Sequence, residues 1–176
     1  MKTLLVALAV LAALAAAAAY SGLYNVAADE PHWSLTERAL AFVRERSIDA
    51  RSGAITPPAD LASARRVAAG APEYAEMCES CHLAPGVTDS EMRTGLYPKP
   101  PELARERLDA REAFWIVKHG LNMTGMPAWG PTHDDERLWN VVAFLRKLPE
   151  LDAKEYRDLV SKAAHTHAPG TPPHRD

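Results

Sequence analysis

The stretch Met77-Cys78-Glu79-Ser80-Cys81-His82 decides how the rest of the chain is read. Residues three apart on a helical turn face the same way. Both thiols can therefore meet one edge of a flat molecule, and the imidazole that follows is aimed under it. These are the chain's 2 cysteines, so a structural disulfide framework, which takes more cysteines at wider spacing, is not built here. A structural zinc site takes four ligands, usually with a second cysteine pair. A thioredoxin-type redox pair sits in a βαβ pattern, and nothing in the chain alternates with period two for long enough to be a strand.

What remains is C-x-x-C-H, the spacing of covalent c-type haem attachment. Cys78 and Cys81 are the expected thioethers and His82 the first iron ligand, and one motif means one haem. The sequence around it is helical throughout. Ser63 to Met77 is rich in Ala, Arg and Glu, with Gly70 and Pro72 as weak points; Asp109 caps a helix from Ala110 that His119-Gly120 stops. Thr132-His-Asp-Asp-Glu136 opens the last long helix, where Leu138, Val141, Val142, Leu145 and Leu148 recur at helical spacing until Pro149. The long loops 83–103 and 121–131 are a liability in a domain of roughly 90 residues unless they wrap something. A large apolar cofactor gives them that surface.

The second iron ligand is sought in Leu121-Asn-Met123-Thr-Gly-Met126-Pro-Ala-Trp129. A thioether favours ferrous iron. Met126 is the expected ligand, because Gly125 permits an unusual backbone angle and Pro127 holds the chain extended. Met123 reads as packing, and His119 and His133, at helix ends, as surface residues.

At the N-terminus, Lys2 precedes an uncharged run from Thr3 to Ala28 whose core, Leu4 to Ala19, is only Leu, Val and Ala. Residues 1–28 read as a signal peptide or a transmembrane anchor; the length and the flanking Tyr20 and Tyr24 favour an anchor. Residues 29–60 read as a linker with an amphipathic helix, opened by a Ser34-Leu-Thr-Glu37 capping box and striped by Leu35, Ala39, Phe42, Val43 and Ile48. Residues 61–151 are the compact domain. Residues 152–176 are a C-terminal extension with a disordered tail, in which His165, His167 and His174 are solvated. With 20 basic and 23 acidic side chains, net charge −3, no basic surface argues for nucleic acid.

Over residues 61–151 the order of elements resembles a class I c-type cytochrome: a helix ending in Cys78-x-x-Cys81-His82, the step Pro101-Glu-Leu103, then Gly125-Met126-Pro127-Ala128-Trp129 and a C-terminal helix. The resemblance implies an all-α fold around one covalently bound haem c, with Gly70 and Tyr74 crossing Val141, Phe144 and Leu145. It implies that the Pro101 carbonyl accepts the His82 ring N–H, and that Trp129 or Tyr97 bonds a haem propionate. With the N-terminal segments, the chain is similar to membrane-tethered bacterial cytochromes. The expected function is non-enzymatic electron transfer on the periplasmic side of the inner membrane, or in the soluble periplasm if the leader is cleaved. Its place would be a respiratory chain, between a donor dehydrogenase or cytochrome complex and an acceptor oxidase or reductase. The alternative is a haem enzyme reducing peroxide or a nitrogen oxide, or a haem sensor, with an open distal site.

Overall fold

The computed structural model describes residues 1–164; the three tail histidines lie outside the described residues. The chain divides into two compact units, Met1–His32 and the part from Trp33 onward. Among the described residues the secondary structure is entirely helical, in agreement with the expected all-α class.

The first unit is built on α1, Lys2–Tyr20, with no buried residue. At 19 residues it is about 28 Å long, close to the roughly 30 Å of a bilayer's hydrocarbon core. An 18-residue stretch of it has a mean hydropathy of 2.3, so by length and composition it can cross a membrane, as a signal sequence also can. The helix stops short of the end of the uncharged run because Gly22 turns the chain at φ +67°.

The second unit begins with α2, Ser34–Ser52. The expected capping box does not form. Trp33 occupies the N-cap position and no side chain caps the helix, so Ser34 already has helical geometry and the box is out of register by one residue. The helix packs on α6 through its other face, burying Ile48 and Ser52. The stripe read from the sequence is split: Ile48 is buried, but Leu35, Phe42 and Val43 stand in solvent. The helix of the linker is therefore part of the same unit as the compact domain.

Ala64–Met77 forms α3, capped by the Ser63 hydroxyl, and runs unbroken through Gly70 and Pro72. Asp135–Lys147 forms α7, capped by Asp134 with Asp135 and Glu136 in its first turn. These two helices cross at Gly70, where a Cβ would stand 2.0 Å from the Asn140 carbonyl oxygen and 2.9 Å from the Phe144 Cβ. One turn along α3, the Tyr74 ring meets Phe144 at 5.4 Å between centroids. Tyr74, Val141, Val142, Phe144 and Leu138 at this crossing are fully buried.

Arg66 pins the open end of the crossing. Buried to 5 % exposure, it donates to Asp60 at 2.8 Å, to Asn140 at 3.0 Å and to Glu136 at 3.2 Å. The Arg66 hydrogen bond is the main cause holding the Asp60 carboxyl below its ordinary value of 3.8. A carboxyl depressed on folding stabilises the fold above its unfolded value and loses that contribution as pH falls through the folded value. The stability difference between wild type and Asp60→Asn, read from urea unfolding over a pH series, is therefore expected to be full above 3.8 and to close in more acidic buffer. A difference independent of pH would refute the pairing.

The extension beyond Leu151 is not simply a tail. Ala153–Ala164 forms α8, begun by Asp152, whose Oδ1 accepts from the Lys154 and Glu155 amides at 2.8 Å. The helix packs on α3 through buried Tyr156 and half-buried Leu159 and Val160. Those residues at i, i+3 and i+4 are a helical apolar face; the tail beyond Ala164, where disorder is expected, lies outside the described residues.

Candidate functional site

The C-x-x-C-H segment leaves α3 as a single turn, α4, Glu79–His82. Three contacts fix it. The Cys78 amide bonds the Tyr74 carbonyl at 2.9 Å, continuing α3 into the motif. Leu83, buried and at φ +66°, turns the chain away, and its carbonyl accepts the buried Tyr74 hydroxyl. From α8, the Tyr156 hydroxyl donates to Glu79 at 2.6 Å. Burial first, then the Glu79 carboxylate, raises the Tyr156 hydroxyl far above its usual range and keeps it a donor.

No disulfide joins the two cysteines. Burial pushes the Cys78 thiol up to about 12, helped by the charges of Cys81 and Glu73. A thiol held neutral is the reverse of the low-pKa nucleophile of a disulfide oxidoreductase. No cluster of His, Cys, Asp and Glu able to hold a metal ion occurs among the described residues.

His82 Nδ1 lies 2.9 Å from the Pro101 carbonyl oxygen. This fixes Nδ1–H as the donor and leaves Nε2 as the ring's lone-pair nitrogen. Burial lowers the affinity of the ring for a proton; the Pro101 bond opposes this, and the Arg93 charge adds to it. A neutral imidazole results, the form that ligates a metal. The Pro101 carbonyl is itself held in place. Arg93, on the short helix α5, Glu91–Thr94, is buried and donates to the adjacent Pro100 carbonyl at 3.0 Å while facing Asp89 and Glu102 at 3.5 and 3.6 Å. Nothing in the sequence marks Arg93; a lone arginine in a loop gives no periodic signal.

The opposite wall is the loop after α6, Ala110–His119, which Asp109 caps through the Arg111 and Glu112 amides. Gly120 ends α6 at φ +65°, and a Cβ there would stand 2.7–2.8 Å from the Met126 oxygen, the Pro127 carbon and the Ala128 nitrogen. The loop closes back on this point: the Leu121 amide bonds the Met126 carbonyl at 3.2 Å, and the Trp129 and Gly130 amides bond the last carbonyls of α6. Thr124 Oγ1 accepts from the Met126 amide at 3.1 Å. Gly125, expected to supply an unusual backbone angle, does not: the positive φ angles in this loop fall on Gly120 and Met123. Gly125 is small because Leu96 Cδ2 would lie 2.6 Å from a Cβ.

Between the two walls is a cavity of about 380 Å³ lined by Cys78, Cys81, His82, Pro101, Met126 and Trp129, with a mainly apolar remainder drawn from α6, α7 and both loops. Met126 is half-buried against the core, while Met123 is 80 % exposed and lies outside the lining, so it does not pack as expected. His119, exposed beside Trp115, and His133, edge-on to Trp129 at 5.4 Å, are also outside it. Of the two aromatic residues expected at a propionate, Trp129 lines the cavity and Tyr97 does not.

A covalent haem fits this donor set. Two thiols stand on one turn, a neutral imidazole has its free nitrogen defined, a thioether lines the same cavity, and the wall between them is apolar. Residues 65–145 match the family model described as cytochrome C oxidase, cbb3-type, subunit III. No curated protein and no solved structure matches the chain. The match and the architecture agree that this chain carries a c-type cytochrome domain whose cofactor is covalently bound haem c, and that the chemistry of the domain is electron transfer.

Proposed function

We propose that the protein is a monohaem electron carrier on the periplasmic side of a bacterial inner membrane, held there by α1, and that it does not itself turn over a substrate. In this reading Cys78 and Cys81 hold the haem by thioether bonds, and His82 and Met126 are its axial ligands. It serves a respiratory chain, accepting electrons from a dehydrogenase or cytochrome complex and passing them to an oxidase or reductase.

The observation that carries the reading is the lining of one apolar cavity by Cys78, Cys81, His82 and Met126. Bound there, the haem iron supplies a one-electron ferric–ferrous couple. The protein's own contribution is rigidity. The Pro101 carbonyl orients His82, Arg93 braces the neighbouring peptide, and the Met126 loop is closed by the Leu121–Met126 backbone bond and tied to α6 by two more. Ligands held in this way need little rearrangement between oxidation states. A soft thioether opposite an imidazole stabilises the reduced form and raises the potential. The apolar helix α1 supports the membrane placement.

Pyridine haemochrome spectra of membranes and of the periplasmic fraction test attachment and placement together. The expected result is a two-thioether c-type spectrum, confined to membranes and lost in Cys78→Ser/Cys81→Ser. A haem-free chain would end the carrier reading, and a wholly soluble haemoprotein would end the anchored one.

A further inference from the structure

Arg44 stands apart from the other charged residues around the cavity. It belongs to α2, outside residues 65–145, yet it lines the same cavity as Cys78, His82 and Met126. It is half-buried and forms no hydrogen bond or ion pair with any described residue. Its neighbours on α2 are engaged: Arg38 with the Ser34 carbonyl, Arg46 with Asp49, and Arg51 with Ser47. A half-buried arginine on a cavity wall with no protein acceptor keeps its charged head for water or for an anion that enters the cavity. The carboxylates on the cavity wall do not fill that role. Asp109 is committed to its own helix cap and to Arg111, and Glu112 forms no ion pair with Arg44. The remaining lining cations are Lys99, which is paired with Asp89, and Arg107, which is exposed.

We propose that Arg44 is a positioning residue for the cofactor: its guanidinium pairs with a propionate carboxylate of the haem, and α2 is thereby a cover for the haem edge that helps set the reduction potential. The inference rests on the haem reading above. Haem is a large apolar disc with two carboxylates at its rim, and a mainly apolar cavity favours a cation beside any carboxylate it takes in. A guanidinium suits the task because its planar fork matches a carboxylate and it stays charged at every accessible pH. A fixed positive charge near the iron favours the state that holds the extra electron. The seating of α2 on α6 through Ile48 and Ser52 then acquires a purpose: it carries one cation to the cofactor.

The test compares haem-loaded full-length wild type, Arg44→Gln and Arg44→Lys by spectroelectrochemical titration in detergent. Haem content and the ligand-sensitive absorption bands are recorded on the same samples. Arg44→Gln is expected to keep both and to raise the ferric-to-ferrous ratio at a fixed applied potential about tenfold, a fall of about 59 mV for one electron. Arg44→Lys is expected to stay near wild type, because it keeps the charge. A Gln variant with wild-type potential overturns the proposal. So does an equal fall in both variants, which would make packing rather than charge the cause. Failure of the haem reading itself looks different, as wild type would then carry no haem to titrate.

Discussion

Gly70→Ala is expected to destabilise the haem-loaded protein by about 3 kcal/mol, the upper end of ordinary overpacking costs. The corresponding fall in thermal midpoint is on the order of 10 °C. The reason is the identity of the atoms in the way. A Cβ at residue 70 would stand 2.0 Å from the Asn140 carbonyl oxygen and 2.5 Å from its carbon. Backbone in the middle of α7 cannot rotate aside as a side chain can, so α3 and α7 must separate. Separation loosens the contacts of Tyr74 with Phe144 and Leu83, and with them the anchorage of the haem-binding turn. Gly53→Ala is the control. Its Cβ would meet only the Asp49 carbonyl oxygen, at 3.6 Å, and its φ of −58° suits any residue. That change is expected to be neutral or stabilising by up to about 1 kcal/mol. Equal midpoints for wild type and Gly70→Ala in differential scanning calorimetry would mean that the helices do not cross this closely.

The features that were legible in advance obey short-range rules. The cap at Asp109 is readable because a side-chain oxygen one step before a helix has one good use; Ser63 and Asp134 cap their helices by the same rule but do not stand out in the sequence. The thiols and imidazole were readable because their spacing is their geometry. The misreadings have local causes. The Ser34 box failed because a helix can start one residue early at little cost, which puts the serine out of phase. The helix α8 was lost behind Pro149, which ends α7 but only turns the chain through one 3-10 turn before Asp152 caps a new helix. Gly125 reads from sequence as a conformational glycine, but its constraint is the Leu96 side chain, 29 residues earlier and unrelated by any pattern. Arg93 and Arg44 carry no periodic signal either: Arg93 braces a carbonyl seven residues on within an irregular loop, and Arg44 lines a cavity built largely by other elements.

Met126→Ala is expected to have the largest functional effect. The oxidised protein should lose the red charge-transfer band of a thioether–iron(III) bond, and its reduced form should begin to take up carbon monoxide. Its potential should fall by on the order of 100 mV, within the roughly 0.8 V that axial ligands command. Met123→Ala should change none of these, since Met123 is 80 % exposed and outside the cavity lining. The two residues are three positions apart in one loop, so the comparison holds the loop's composition nearly constant and varies only which sulfur is removed. The direction follows from softness: a thioether stabilises ferrous iron, and its loss leaves a site that water or an external ligand can enter. The loop should survive the change. Its shape depends on the Leu121 amide bond to the Met126 carbonyl, on the Thr124 hydroxyl and on the tight fit over Gly120, none of which involves the sulfur. A Met126→Ala protein with the wild-type spectrum and potential would remove Met126 from the iron and favour the open-site enzyme or sensor over the carrier.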